Sequence, residues 1–396
     1  MKILIHCIHS KGGLTEHVNY QARALKRRGE EVWLLGPRDY LDGRPLDYPA
    51  VKIYGPLHSQ KNKQSFWRRV LSLSCRTASF LLTQWRLAGE ILMRRPDFVL
   101  LDSYIEYLSP LWVWPHIALA KFAGVAYVAN LHDPVRDFQV GPLWWHKLSV
   151  RLAYAPIKIA IVHQLLSKND AIPEHVKILE APVGVYELQK VASDSAAIRR
   201  AWGVSEGQVA FLSFGFLRDN KNVDLLIRAL PSNPLAVLVV VGSAQSSRNK
   251  PLRFYRELAE EVGVGQRVIF REEFVPDEAL AGYFAAADVI AITYNGQFHS
   301  QSGVLNVAAS AKRLVLASSG EGPLKTAVER FSLGEFVAPD SLEALAEGMS
   351  RLILRLDAAS PSAKHPDWEG YQRYASWDTN VGIILEAAKA SADSGV

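Results

Sequence analysis

Cysteine is scarce in this 396-residue chain: Cys7 and Cys75 are the only two. Cys7 lies in an apolar, strand-like run and Cys75 in a basic, helix-like one. A structural disulfide between them is not expected, and a reducing cytoplasm fits. Long uncharged apolar runs are missing too. The nearest to a membrane span, residues 108–120, holds two prolines and His116. The apolar run at residues 1–8 is short and leads into Lys11, Gly12 and Gly13 with no small-residue cleavage pattern, so it reads as a first strand and not as a signal peptide. There is no Asp-x-Asp pair and no His/Cys cluster with metal-ligand spacing, so no metal is expected. No nucleic-acid-binding motif, short-period repeat or low-complexity tract is present.

What is present is ample apolar content, 49% of residues, enough for two ordinary cores in a chain of this length. The net charge of +5 is unevenly spread. Residues 1–190 carry 25 Lys and Arg against 16 Asp and Glu, whereas residues 191–396 carry 20 against 24. The basic first half suits an anionic partner: a membrane surface or a diphosphate-bearing acceptor.

Strand-like runs alternate with helical patterns throughout. In the first half, strands are predicted at residues 3–8, 31–35, 51–54, 98–101, 126–130 and 157–162, with a helix at 15–28 closed by Gly29. In the second half they are predicted at 209–214, 236–241, 268–270, 289–292 and 314–317. Such alternation implies mostly parallel, doubly wound α/β sheets. Pro182 and Gly184 interrupt the periodicity, and residues 177–186 read as a linker. The expected domains are residues 1–186 and 187–376, followed by a helix in 377–396 that crosses back to the first domain.

The most informative segment is Phe214-Gly215-Phe216-Leu217-Arg218-Asp219-Asn220-Lys221. It follows a buried-strand run and precedes a helical pattern. Gly215 lets the backbone approach a ligand closely. Arg218 and Lys221 sit at the carboxyl end of a strand, where open α/β sheets bind ligands. Two cations there suit a diphosphate. The plain alternative is a βα turn carrying two solvated cations.

Residues 61–95 hold eight Lys/Arg and one acid, Glu90, interleaved with Phe66, Trp67, Leu81, Leu82, Trp85 and Leu92. A basic, aromatic-rich helix of this kind can lie in a membrane interface, with Trp112, Trp114, Trp144 and Trp145 extending the edge. Core helices with solvated cations are the other reading.

The order of motifs resembles the GT-B glycosyltransferases, specifically their family-4-like group. Gly12-Gly13-Leu14 with His17-Val18 is similar to that family's opening loop and helix. Leu131-His132-Asp133 is similar to its His-containing loop, and Ala181 to Val185 to its entry into the second domain. The 214–221 segment resembles its donor-phosphate loop, Val239 to Gly242 the next strand, Phe274 to Asp288 the helix before the last donor strand, and Trp377 onward the closing helix. The resemblance implies a GT-B fold of two Rossmann-like domains facing a central cleft, with the acceptor on the first and the nucleotide sugar on the second. It implies glycosyl transfer with retention, no metal and no cofactor, from a UDP- or GDP-sugar donor.

One departure stands out. The family carries two glutamates around its last donor loop, and those slots hold His299 and Val307 here. Ser302-Gly303-Val304 remains, opening a helix whose N–H groups can face phosphate. Asn306 is expected to stand in for the lost ribose contact.

Carried onto this sequence, Arg218 and Lys221 would hold the departing diphosphate, aided by Gly215 and the N–H groups of Ser302, Gly303 and Val304. Gly12 and Gly13 would approach the phosphates, His132 would face the sugar, and His299 could hydrogen-bond sugar hydroxyls. Asp133 would bind the acceptor, act as a base, or cap the loop. The expected partners are a nucleotide sugar, a glycolipid or oligosaccharide acceptor, and an anionic membrane surface through residues 61–95, with no nucleic acid; the expected location is the inner face of the cell membrane. A non-catalytic ligand-binding protein, and an epimerase or hydrolase on the same fold, are the competing readings.

Overall fold

The computed structural model describes residues 1–10, 12–41, 45–54, 66–102, 106–132, 139, 141–163, 172–186, 194–243, 249–273, 275–356 and 365–393, without the side chains of 52–54, 66–76, 277, 392 and 393. Lys11, Asp133, Phe274 and residues 61–65 therefore lie outside what can be described. The chain divides into two compact units: Met1–Val183 with Trp377–Val396, and Gly184–Ser376.

The first unit holds a seven-stranded, all-parallel sheet in the order β3-β2-β1-β4-β5-β6-β7. Its strands are β1 (Lys2–His6), β2 (Glu31–Pro37), β3 (Ala50–Tyr54), β4 (Phe98–Leu101), β5 (Ala126–Leu131), β6 (Ile157–Val162) and β7 (Lys177–Glu180). Helix α1 (Gly13–Arg27) follows β1, and α2 (Phe66–Arg94) follows β3. β7 corrects the expectation that residues 177–180 belong to the linker. Its Lys-Ile-Leu-Glu sequence has charged ends that suit an edge strand with one side unpaired.

The second unit holds a six-stranded parallel sheet in the order β10-β9-β8-β11-β12-β13. Its strands are β8 (Val209–Phe214), β9 (Ala236–Val241), β10 (Val268–Arg271), β11 (Val289–Thr293), β12 (Leu314–Ser318) and β13 (Gly334–Phe336). Helix α3 (Val223–Ala229) follows β8 and α4 (Gly303–Ser310) follows β11. Period-2 alternation assigns the strands' side chains to two cores. Ala210, Leu212, Val237 and Val239 pack on one face, and Phe211, Leu238 and Val240 on the other. Both faces are covered, as parallel sheets require.

The last helix, α5 (Trp377–Asp393), belongs to the first unit. The Tyr20 and Trp377 rings stack at 5.5 Å, and Arg28 donates to the Asp378 carbonyl at 2.9 Å. Among the described residues, no helix is long and apolar enough to cross a membrane.

Candidate active site

In each sheet the strand order reverses beside its first strand, between β1 and β4 and between β8 and β11. Open α/β sheets bind ligands at that point, beyond the strands' carboxyl ends. Both groups of candidate residues lie there.

In the second unit, Gly215 follows β8 with φ +91° and bonds back to the Val241 carbonyl at 2.9 Å. A Cβ on neighbouring Gly242, itself at φ +140°, would meet the Gly215 carbonyl oxygen at 2.2 Å, so only glycine fits where the two loops touch. Lys221 folds back so that its Nζ donates to the Phe214 carbonyl at 2.6 Å. Asn222 adopts a left-handed conformation, φ +51°, and starts α3. Its amide donates to Asp340, whose other oxygen accepts from the Gly296 N–H at 2.8 Å. The Thr293 hydroxyl donates to the Lys221 carbonyl at 2.9 Å, and the Asn295 N–H to the Asn220 carbonyl at 2.9 Å. These bonds tie the loop after β8 to the loop after β11.

Burial, with the repulsion of Arg218 second, lowers Lys221 to about 8. The nearby acids are engaged elsewhere: Asp224 pairs with Lys250 at 2.7 Å, and Asp219 accepts from the Lys250 N–H at 2.8 Å. Among the described residues, no ion pair involves Arg218 or Lys221. The site is a cationic pair held together by packing, at a cost that a bound anion would offset.

Ser302 caps α4 and lies within 3.4 Å of the Tyr294 hydroxyl; Tyr294 feels the field of Arg218. Arg218, Lys221 and the N-terminus of α4 are thus brought to one locality, together with Gly303 and Val304 in its first turn. His299 donates from Nδ1 to the Glu321 carbonyl at 2.8 Å, and Nε2 takes no part in that bond. A Cβ at Gly320 would lie 2.3 Å from the His299 ring, so that glycine makes room for the imidazole. Val307, in the other acid slot, is buried in the core.

Asn306 departs from expectation. It is fully buried, donates to the Gly184 carbonyl at 3.2 Å and accepts from the Tyr371 hydroxyl at 2.7 Å. Its amide fastens the start of the unit to α4, and the expected ribose contact is not the one it makes.

In the first unit, Gly12 caps α1 at φ +95°, and neither it nor Gly13 has an atom within 4 Å of a built Cβ. His132 is the first residue past β5. It meets partners that sequence reasoning missed: Asp102 directly after β4, His163 directly after β6, and His17 on α1. The register explains the meeting. Leu131 pairs with Val162, so the next residues, His132 and His163, fall opposite each other. His17 and Gln21 are four apart and share a helix face. Asp102 Oδ1 is 3.1 Å from His17 Nδ1 and 3.0 Å from His132 Nε2, and accepts from Asn130 at 3.1 Å. Asn130 also donates to Gln21, Gln21 to Asn380 on α5, and Asn380 to the Pro182 carbonyl. Asp102 is fully buried. Burial alone would raise its pKa, but the two imidazoles hold it below the usual carboxylate range. Burial lowers His17, and it lowers His163 to about 3. His132 already donates from Nε2 to Asp102, so turning that nitrogen toward a sugar requires breaking this bond.

Residues 194–360 match the model of the glycosyl transferases group 1. That stretch, which lies within the second unit, is similar to the group 1 glycosyl transferases. Curated relatives are similar to part of the chain. The D-inositol 3-phosphate glycosyltransferase of Mycobacteroides abscessus is 27% identical over 233 residues, 58% of this chain and 50% of that protein. The chain spans about half the length of the curated relatives it matches. Among solved structures, a glycosyltransferase from Rickettsia africae superposes with TM-score 0.69 at 17% identity, over 98% of both chains. The Anabaena protein HepE in complex with UDP superposes with TM-score 0.68 at 17% identity, over 99% of this chain and 100% of that one. The fold is therefore that of the GT-B glycosyltransferases, and residues 194–360 match the group 1 transferase model.

The aromatic edge expected around residues 61–95 is partly corrected. Trp112 is 3% exposed and packs with Phe80 in a small core. Trp85, Leu82, Trp114, Phe122 and Trp144 do remain exposed on helices of the first unit.

Proposed function

We propose that the chain is a glycosyltransferase that moves a hexose-type sugar from a UDP- or GDP-sugar to a lipid-linked or polysaccharide-precursor acceptor. The observation that carries this reading is the pair Arg218 and Lys221, held against each other at the switch point of the second unit's sheet without a counter-anion among the described residues. Cleaving the bond between the anomeric carbon and the diphosphate builds charge on the leaving group. Cations placed there stabilise the transition state more than the ground state. The Ser302 to Val304 N–H groups add a helix-terminal contribution. In this reading the phosphates need no metal, the anomeric configuration is retained, and the leaving phosphate accepts the acceptor's proton. His132 and the Gly12-Gly13 loop serve the sugar and phosphates.

HepE's complex with UDP supports a uridine nucleotide. The relatives named for D-inositol 3-phosphate make a phosphorylated polyol a second acceptor class. The basic first half and the exposed Trp85, Trp114 and Trp144 favour an acceptor at an anionic membrane surface. Calorimetry with UDP and GDP in chelator tests the donor site: micromolar binding that Lys221→Ala weakens supports it, and no binding of either nucleotide rejects it. Co-sedimentation with anionic vesicles at low salt tests the surface, and absence of binding would point to a soluble acceptor.

One observation favours a second reading, a non-catalytic ligand-binding protein. Asn306 is tied into the fold and Val307 lies in the core, so neither supplies a donor-gripping carboxylate. Nucleotide binding without turnover on any nucleotide sugar would select it.

A further inference from the structure

His17, His132 and His163 each bring one ring nitrogen to within 4.8 Å of the others. The hydrogen bonds fix which nitrogens these are. Asp102 accepts from His17 Nδ1 and His132 Nε2, and the Ala181 carbonyl accepts from His163 Nδ1 at 3.2 Å. A neutral ring that donates to an oxygen through one nitrogen carries a lone pair on the other. The lone-pair nitrogens are His17 Nε2, His132 Nδ1 and His163 Nε2. His132 Nδ1 and His163 Nε2 lie 3.2 Å apart, and two acceptors at that distance repel unless a cation lies between them. His17 Nε2 is buried with no hydrogen-bond partner, as is Asp102 Oδ2. A proton shared by His132 and His163 would settle that pair and leave His17 Nε2 unanswered. An ion would answer all three.

We propose that these three imidazoles form a binding site for a divalent transition ion of the zinc class. The His132–His163 separation of 3.2 Å already matches zinc ligation, and the full spread of up to 4.8 Å would have to draw in around an ion. Two nitrogens bound tetrahedrally at the usual zinc distance lie about 3.3 Å apart, and their ring centroids roughly 5 Å apart. The ring centroids here are separated by 4.7, 5.3 and 5.8 Å. The surroundings are those of a metal site. A carboxylate on two rings and a carbonyl on the third fix tautomer and orientation, and Asp102 offsets part of the ion's charge. His132 and His163 are only part-buried, which gives an ion a route in and leaves a fourth position for water or a substrate hydroxyl. The site belongs wholly to the first unit and holds whether or not the transferase reading does.

Chelator-stripped full-length protein titrated with zinc chloride in a calorimeter, and with cobalt chloride in a spectrophotometer, tests the site. The expected result is one ion per chain, with the intense visible bands of four-coordinate cobalt. His163→Ala, whose side chain is part-exposed, should abolish stoichiometric binding while the circular dichroism spectrum is kept. Asp102→Asn should weaken binding about 10- to 100-fold. Binding that persists unchanged in His163→Ala would assign the ion to surface histidines and overturn the proposal. So would a His132–His163 pair that stays protonated in nitrogen NMR spectra with zinc present, because the cation would then be a proton.

Discussion

The two units place opposite electrostatic problems at equivalent points of equivalent sheets. Beyond β8, two cations face each other without an anion among the described residues. Beyond β4, β5 and β6, three imidazoles gather around a buried carboxylate. The same topology delivers both because parallel strands end together and leave their next residues side by side. The difference lies in what each unit contributes around that point. The second unit surrounds its cations with glycine-permitted backbone turns. The first surrounds its histidines with buried amides drawn from α1, β5 and α5. One locality is built to receive negative charge and the other positive.

Acid should break the comparison most strongly. Burial lowers His6 to about 4 and His116 to about 3, both in the first unit. The unfolded chain therefore binds protons that the folded unit refuses between about pH 6.5 and those values. Stability is full above pH 6.5 and falls as pH drops, by about 1.4 kcal/mol per pH unit for each histidine. Hydrogen exchange at pH 4.5 against pH 7.5 should show first-unit peptides opening first; earlier opening of the second unit would contradict the contrast. Next in size, Asp102→Ala leaves His17, His132 and Asn130 without their shared acceptor. It should cost about 3–5 kcal/mol in denaturant unfolding, the usual penalty for breaking a buried pair. A loss below about 1 kcal/mol would mean that the network does not hold the first unit together.

Two smaller effects sharpen the second unit's side. Lys221→Ala should lower turnover about 10- to 100-fold, the loss of one charge-assisted bond of roughly 1.5–3 kcal/mol. Near-wild-type turnover would remove Lys221 from the phosphate site. Affinity for UDP should be flat below pH 8 and decline above it by up to about tenfold per unit, because free Lys221 loses its proton at about 8 whereas an anion favours the charged form. Lys221→Arg should flatten that profile, and an unchanged slope in the variant would assign it to another group.

The sequence revealed these two localities unequally, for a physical reason. Phe214 to Lys221 is one continuous stretch, so a strand, a glycine and two cations can be read in a line. His17, Asp102, His132 and His163 come from four separate segments, and only the register of β5 on β6 shows that two of them meet. The sheets themselves were legible because their strands are apolar runs such as Ala236–Val241, fully buried on both faces. β7 was not, because its edge position relaxes that requirement. Asn306 misled because an amide suits a ligand and a buried backbone carbonyl equally well, and only its bonds to Gly184 and Tyr371 distinguish the two.

The second unit begins and ends almost at the same place: the Val185 N–H bonds the Ala375 carbonyl. It is a cassette spliced into the first unit, whose last helix is made only after the cassette is complete. The bond from Gln21 to Asn380 closes across 359 positions of chain. On the ribosome, the cassette can therefore finish folding while the first unit still waits for its final helix to seal the polar seam beneath His17.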